Sequence, residues 1–202
     1  MADALRNYEE TRPIFNAKLL FNVKRLPYNG FTYRDYLTWG DDYRWELIDG
    51  MPYMMAGASV YHQSMVVELL GQLREFLKGK PCKVFTAPFD VRLFPEDDLS
   101  DRTVVQPDIL VVCDEEKLSY GKACRGAPDF IIEVMSDSSE GRDLIDKRKL
   151  YETAGVKEYW VVGEEKLYKY VLIDYKYQEA VFDRNKDFKQ EVFVLKGCTI
   201  NL

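Results

Sequence analysis

Two segments of the chain are apolar on both faces of a strand, and each contains a single carboxylate. Residues 104–112 carry Asp108 between valines, isoleucine and leucine, and residues 130–135 carry Glu133 in the same kind of surroundings. Strands that are apolar on both faces are usually central in a sheet and covered by other elements. The two segments therefore predict central, adjacent strands of a covered sheet, with an acid placed inside each.

These two acids need compensation if they are buried. Alternation places Asp108 on the face of Leu110, and Glu133 on the face of Ile131. A buried, unpaired carboxylate costs several kcal/mol, so each requires a cation, a proton or dense hydrogen bonding. A metal ion shared between them would meet that need. The alternative for either acid alone is a strand-end residue that pairs with a loop arginine or reaches solvent.

A lysine lies in the helix predicted after the second segment. At roughly 100° per residue, one face of this helix is apolar apart from Lys147, whereas its two basic neighbours point elsewhere; the residues of that face are Leu144, Lys147, Tyr151 and Ala154. A lysine centred in an apolar stripe is costly unless it meets an anion, and Glu133 is on the preceding strand. The alternative is a stem packed on the core with its ammonium reaching water.

The chemistry that suits this trio is phosphodiester hydrolysis. Oxygens of Asp108 and Glu133, with the backbone carbonyl of Val134, suit a hard cation such as Mg²⁺ or Mn²⁺. The ion polarises a phosphoryl group and acidifies a bound water, and Lys147 can orient that water or neutralise charge in the transition state. No nucleophile motif, Walker loop or dinucleotide fingerprint competes. We expect Asp108, Glu133 and Lys147 to be catalytic and no organic cofactor to be required.

The order of elements indicates an α/β (α+β) fold with helices packed on a mixed sheet. Thr32 caps a short helix, an Asp49-Gly50 turn joins a hairpin, and the amphipathic spacing of residues 59–78 predicts a long helix. A second helix starts after Ser138 or Ser139 and stops at Gly155. Strands are expected at 43–48, 51–55, 83–94, 104–113, 129–135, 158–162, 167–173, 179–182 and 188–195. Residues 31–202 form one domain, preceded by an N-terminal extension over residues 1–30.

Charge and cysteine usage narrow the class of protein. The net charge of −6 argues against a surface coated for nucleic acid, so a nuclease must concentrate positive charge locally. Arg148 and Lys149, beside Lys147, are candidate nucleic-acid contacts, although a charge run is also typical of solvated surface. The four cysteines form no CxxC pair, which predicts reduced, buried thiols. No signal peptide or apolar run of about 18 residues is present, which predicts a cytoplasmic protein away from membranes.

Several motifs in order resemble a known family. They are Trp45-Glu46-Leu47-Ile48-Asp49-Gly50, His62 at a helix start, Pro107-Asp108, the run from Pro128 to Ser136, Asp143 and Lys147 four apart, Tyr151, and the run from Gly155 to Trp160. Between about Tyr33 and Phe182 the chain is similar to the Uma-type restriction endonucleases, a bacterial family of the PD-(D/E)XK nuclease superfamily.

The resemblance implies an αβββαβ restriction-endonuclease-like core followed by extra C-terminal strands. Asp108 corresponds to the motif's aspartate and Glu133 to its second acid. The superfamily's usual lysine, two residues after that acid, is here Met135, and Lys147 matches the position from which this family supplies a lysine on the following helix.

Two further positions match the family. Glu46 corresponds to an upstream acid that binds metal through water or holds Lys147; a hairpin residue in a solvated ion pair is the alternative. His62, the only histidine, would orient a phosphate or a water; the alternative is a capping or core hydrogen bond.

Two functions remain open from the sequence. The first is a Mg²⁺-dependent endodeoxyribonuclease that binds DNA and acts as a homodimer, because two-fold symmetry suits a cut in both strands. The second is a catalytically inert protein with a nuclease fold that binds nucleic acid or a protein partner. Met135 and the acidic balance favour the second.

Overall fold

The structure is a computed structural model that describes residues 30–40, 43–136, 141–184 and 188–202. The expected N-terminal extension lies outside the described residues except for Gly30, and so do Ser138 and Ser139, where the second helix was expected to start.

The described chain contains thirteen strands and a few helices. The strands are β1 (Trp45–Ile48), β2 (Met51–Met54), β3 (Lys83–Thr86), β4 (Asp90–Arg92), β5 (Val104–Val105), β6 (Ile109–Val112), β7 (Ala123–Arg125), β8 (Phe130–Val134), β9 (Glu158–Val162), β10 (Lys166–Ile173), β11 (Lys176–Asp183), β12 (Lys189–Glu191) and β13 (Thr199–Asn201). The helices are α1 (Tyr33–Tyr36), α2 (Val60–Leu77), a 3₁₀ helix (Glu115–Leu118), a π-helical turn (Arg142–Lys147) and α3 (Arg148–Ala154).

A six-stranded mixed sheet forms the centre of the domain. Its order is β11-β10-β9-β8-β6-β3, and neighbours are antiparallel except β8 and β9, which are parallel. The parallel pair requires a crossover, which the π-helical turn and α3 supply. A second sheet has the order β2-β1-β5-β4-β7, and β12 pairs with β13. The segment from α2 to β9 thus contains the expected αβββαβ core.

Both faces of the central sheet are covered, as the apolar segments predicted. On one face α2 buries Val66, Leu69, Leu73 and Leu77 against the sheet. On the other face Tyr151 of α3 packs among residues of β6, β8 and β9. Capping of α2 by Ser59 and of α1 by Thr32 starts these helices where the sequence predicted.

Two prolines divide strands that the sequence predicted to be continuous. The expected strand at 83–94 is β3 and β4, and the one at 104–113 is β5 and β6, with the two halves in different sheets. Pro88 and Pro107 lie in the breaks. A proline has no N–H to donate to a ladder, so each strand ends before it. The chain therefore crosses between the two sheets at these prolines.

The C-terminal strands also differ from the prediction. Only Lys189–Glu191 of the expected strand 188–195 is extended, because Val192 and Leu195 enter the core from a turn. The Val194 N–H in this turn donates to the buried Glu158 carboxylate at 2.9 Å. Strands β7 and β13 were not expected.

The expectation of four reduced thiols was wrong for two of them. Cys82 and Cys113 form a disulfide, whereas Cys124 and Cys198 are buried free thiols. Lys83 pairs with Val112 in the β3–β6 register, so the cysteines stand opposite each other one position further on. The separation of 31 residues hid this pairing in the sequence. None of the helices in the described ranges has the length and apolar character needed to span a membrane.

The Asp49-Gly50 turn closes the β1–β2 hairpin as predicted and provides a test of the fold. Gly50 has a φ of 79°, and a Cβ there would lie 2.7 Å from the Arg102 side chain. We expect Gly50→Ala to lower the free energy of unfolding by about 1–2 kcal/mol. Gly57→Ala is the control, because a Cβ at Gly57 meets nothing within 4 Å. Urea denaturation measures both, and equal losses would contradict the account of the turn.

Candidate active site

The register of the central sheet brings Asp108 and Glu133 together. Ile109 of β6 pairs with Ile132 of β8, so the residues one position outward face each other. The Asp108 N–H donates to Oε2 of Glu133 at 3.2 Å, and Oδ2 of Asp108 accepts the Val134 N–H at 2.8 Å. The two acids that the sequence singled out therefore share one end of two adjacent strands.

Lys147 reaches the same place from the helical side. Its Nζ lies 2.8 Å from Oε1 of Glu133, 3.0 Å from Oε1 of Glu46 and 3.8 Å from Oδ1 of Asp143. Lys147 is only 4% exposed, so the alternative of an ammonium that reaches water is wrong. The apolar helical stripe correctly placed this lysine against an anion.

Glu46 joins the two sheets at this point. It lies on β1 of the second sheet, is fully buried, and accepts the Gln106 N–H at 3.0 Å in addition to its ion pair with Lys147. The alternative of a solvated hairpin pair is therefore wrong. Glu46 holds Lys147, which is one of the two roles that the family resemblance implied for it.

His62 contacts the site through Asp108. It lies in the first turn of α2, where its backbone N–H donates to Oγ of Ser59, and its Nε2 is 3.0 Å from Oδ2 of Asp108. That hydrogen bond raises the pKa of His62, against the opposing effect of burial. Its Nδ1 is buried and has no hydrogen-bond partner within the described part of the chain.

Two contributors to the site were not assigned from the sequence. The Tyr151 hydroxyl donates to Oε1 of Glu133 at 3.0 Å, and Asp143 is buried beside Lys147. Both lie four residues from Lys147, so the helical period was the available signal. The turn that carries Asp143 and Lys147 is a π-helix, which often occurs at functional sites.

The site holds more carboxylates than cations. Glu46, Glu133 and Asp143 surround Lys147, while Asp108 lies beside Glu133 and contacts His62 at the edge of the site. Burial raises the pKa of Glu133, Lys147 opposes this rise, and the neighbouring carboxylates add to it. Burial lowers the pKa of Lys147, but the carboxylates outweigh it and the pKa is raised. Lys147 is therefore a permanent cation in an acidic cluster.

This charge balance fits a divalent cation beside the two strand acids. The Asp108 side chain is 14% exposed, and its Oδ1 accepts no hydrogen bond from the described residues. Asp108 and Glu133 thus offer carboxylate oxygens, the ligands that Mg²⁺ and Mn²⁺ take. In the described part, however, no three His, Cys, Asp or Glu side chains are grouped so that they could already hold an ion.

The two other predicted contacts lie away from the acids. Arg148 places its guanidinium 5.8 Å from the centre of the Tyr170 ring, and Lys149 is exposed to solvent. They point away from the site face of the helix, as its periodicity indicated. Their role as nucleic-acid contacts stays a prediction.

Comparison with known proteins agrees with this fold and these motifs. Residues 33–202 match the model of the Uma2 family, described as "Putative restriction endonuclease". The chain belongs to the Uma2 family. The family resemblance stated from the sequence is thereby confirmed.

Two individual relatives extend the comparison. A solved structure from Anabaena variabilis, titled a putative nuclease belonging to DUF820, superposes with a TM-score of 0.64 at 17% identity, over 82% of this chain and 90% of that one. It confirms the nuclease-like α+β fold. An uncharacterized protein of Synechocystis sp. is 26% identical over 127 residues, which are 62% of this chain. The match spans only 64% of the length of that curated relative.

The enclosed ion cluster generates a stability prediction. Lys147→Met leaves three buried carboxylates without their cation, so we expect a loss of about 3–5 kcal/mol in unfolding free energy. Glu133→Gln should cost less than half of that, because Glu46 and Asp143 still surround the lysine. The double variant should recover part of the Lys147→Met loss. Urea denaturation in EDTA measures all three, and additive losses would show that the two residues do not interact.

Proposed function

We propose that this chain is a metal-dependent endonuclease that hydrolyses phosphodiester bonds of DNA, with Asp108, Glu133 and Lys147 as its reaction centre. The observation that carries the proposal is the meeting of these three residues at one end of β6 and β8. Nζ of Lys147 lies 2.8 Å from Oε1 of Glu133, and the backbone N–H of Asp108 donates to Oε2 of the same carboxylate. The membership of a family described as restriction endonucleases supports it.

Asp108 and Glu133 would hold one Mg²⁺ or Mn²⁺ ion, with the Val134 carbonyl as a further oxygen ligand. Such an ion, when bound, polarises a phosphoryl oxygen and lowers the pKa of a bound water.

The surrounding residues fix the two acids in place. Lys147 and Tyr151 both bind Oε1 of Glu133, which leaves Oε2 directed toward Asp108. Val134 and His62 hold Oδ2 of Asp108, which leaves Oδ1 available. Carboxylates held by several partners lose little conformational freedom when they engage a ligand. Lys147 also supplies the fixed positive charge that Met135 lacks.

We further propose an oligomeric state and a cellular location for the enzyme. A homodimer would present two such centres to the two strands of duplex DNA. We propose that the enzyme acts in the cytoplasm. Met135 favours a second candidate, a nuclease-fold protein that binds nucleic acid or a protein partner without cutting it.

Substitution of Asp108 separates the two candidates. Asp108→Asn keeps an oxygen for the Val134 N–H but removes the charge, so we expect metal-dependent cleavage of plasmid DNA to be abolished and Mn²⁺ binding to weaken at least about tenfold. The fold should persist by circular dichroism. Asp114→Asn, at the cap of the 3₁₀ helix, is the matched control and should cleave normally. A wild-type chain that neither binds Mn²⁺ nor cleaves would support the inert candidate.

Substitutions of Lys147 and Lys149 test the proposed catalytic role of Lys147. Lys147→Ala should lower the single-turnover cleavage rate on the order of a hundredfold or more, because a preorganised charge is lost. Lys149→Ala, on the exposed face, should cost only a modest and salt-sensitive part of DNA binding. Lys147→Arg, which retains the charge, covers the case in which the alanine variant fails to fold. Equal losses at positions 147 and 149 would mean that the cluster only attracts phosphate.

A further inference from the structure

The ammonium of Lys147 is already surrounded by acids. Its contacts with Glu133, Glu46 and Asp143 direct the charge of the lysine toward carboxylates of the protein. A DNA strand brings further negative charge to a site that is acidic before it binds. The site consequently needs a second protein cation for the substrate, and Arg44 is placed to be that cation.

Arg44 immediately precedes β1 on the side of the chain that faces the site. Its carbonyl accepts the Met55 N–H at 2.9 Å, which continues the β1–β2 ladder by one pair. In extended chain, residues two apart lie on the same face. Arg44 therefore shares the face of Glu46, the residue that binds Lys147.

A neutral side chain holds the guanidinium in place. Oε1 of Gln106 accepts hydrogen bonds from Nε of Arg44 at 3.1 Å and from Nη2 at 3.0 Å. Gln106 is 7% exposed, and its amide nitrogen is bound to Asp90 and to the Tyr36 hydroxyl, so the acceptor is itself fixed. This pair of hydrogen bonds to Gln106, called the clamp below, orients Arg44 but brings no negative charge to neutralise the guanidinium.

The clamp is also part of the acidic site. The Gln106 N–H donates to Glu46, and Gln106 stands two residues before Asp108. Within the described ranges Arg44 has no carboxylate partner, and its Nη1 donates no hydrogen bond. Arg44 is exposed, and among the described residues no carboxylate pairs with its charge.

We propose that Arg44, oriented by Gln106, is a substrate-binding residue that receives a backbone phosphate of duplex DNA beside the Asp108 and Glu133 carboxylates. A planar guanidinium with free N–H groups matches the geometry of a phosphodiester. This inference rests on the proposed function, because it assigns the arginine to the same site.

The test measures binding rather than cleavage. A short fluorescein-labelled DNA duplex is titrated with the full chain in EDTA and, separately, in Ca²⁺, over a series of NaCl concentrations, with fluorescence anisotropy as the readout. We expect Arg44→Gln to weaken binding about tenfold at low salt and to lower the slope of log K against log[NaCl] by about one. Arg44→Lys should keep the slope and lose part of the affinity, because an ammonium cannot make the same fork with Gln106.

Arg74→Gln is the matched control. Arg74 is another exposed arginine, twelve residues after His62 on α2, which is about 18 Å along the helix axis. Its substitution should leave affinity and slope nearly unchanged. A purely structural role of Arg44 would lower the melting temperature of Arg44→Gln without changing the salt slope.

Three outcomes overturn the proposal: no binding of the duplex by the wild-type chain in either buffer, equal affinity and slope for wild type and Arg44→Gln, or an equal loss in Arg74→Gln. The result is independent of the reaction. If Asp108→Asn retains cleavage, the proposed reaction centre fails while the anisotropy result for Arg44 stands. If DNA binding depends on Arg44 but the wild type does not cleave, the inert candidate gains the same binding residue.

Discussion

The buried ion cluster around Lys147 ties together the parts of the molecule that define the site. Its ammonium lies on the helical segment, Glu133 on the central sheet and Glu46 on the second sheet, so a single charge bridges three separate elements. Each carboxylate would be costly to bury alone, and the lysine would be costly to bury without them. The arrangement therefore couples the packing of α3 and the second sheet to the geometry of Glu133.

The position of the site follows from where the chain changes sheets. Pro107 ends β5 in the second sheet, and β6 of the central sheet begins two residues later. Gln106 and Asp108 flank that proline, which is why one binds Glu46 and the other contacts Glu133 and His62. A residue at such a crossing escapes the regular ladder, so its backbone and side chain are free to make site contacts.

Features that appear as a pattern among neighbouring residues could be predicted from the sequence. Features that depend on contacts between distant segments were missed. Asp108, Glu133 and Lys147 interrupt apolar patterns of known period, and Glu133 and Lys147 lie on the faces that those patterns predicted. The burial of Glu46 could not be read from a short hairpin, since β5 and the helical segment that cover it follow much later in the chain. The same reason applies to the disulfide between Cys82 and Cys113 and to the clamp on Arg44. The π-helical turn was also missed, because a period of 3.6 residues describes only the α-helical part.

The lysine of the site, Lys147, lies on the helical segment and not on the strand that carries Glu133. A lysine two residues after Glu133 would stand on the same strand face, next to the acid and near the open end of the sheet. Met135 stands there instead, and the lysine approaches from the helix, where carboxylates enclose it. An enclosed ammonium orients Glu133 and supplies fixed positive charge beside it, but carboxylates separate it from the rest of an incoming strand. Under our proposal the cation that meets the DNA backbone therefore comes from the rim of the site, where the neutral amide of Gln106 holds the Arg44 guanidinium.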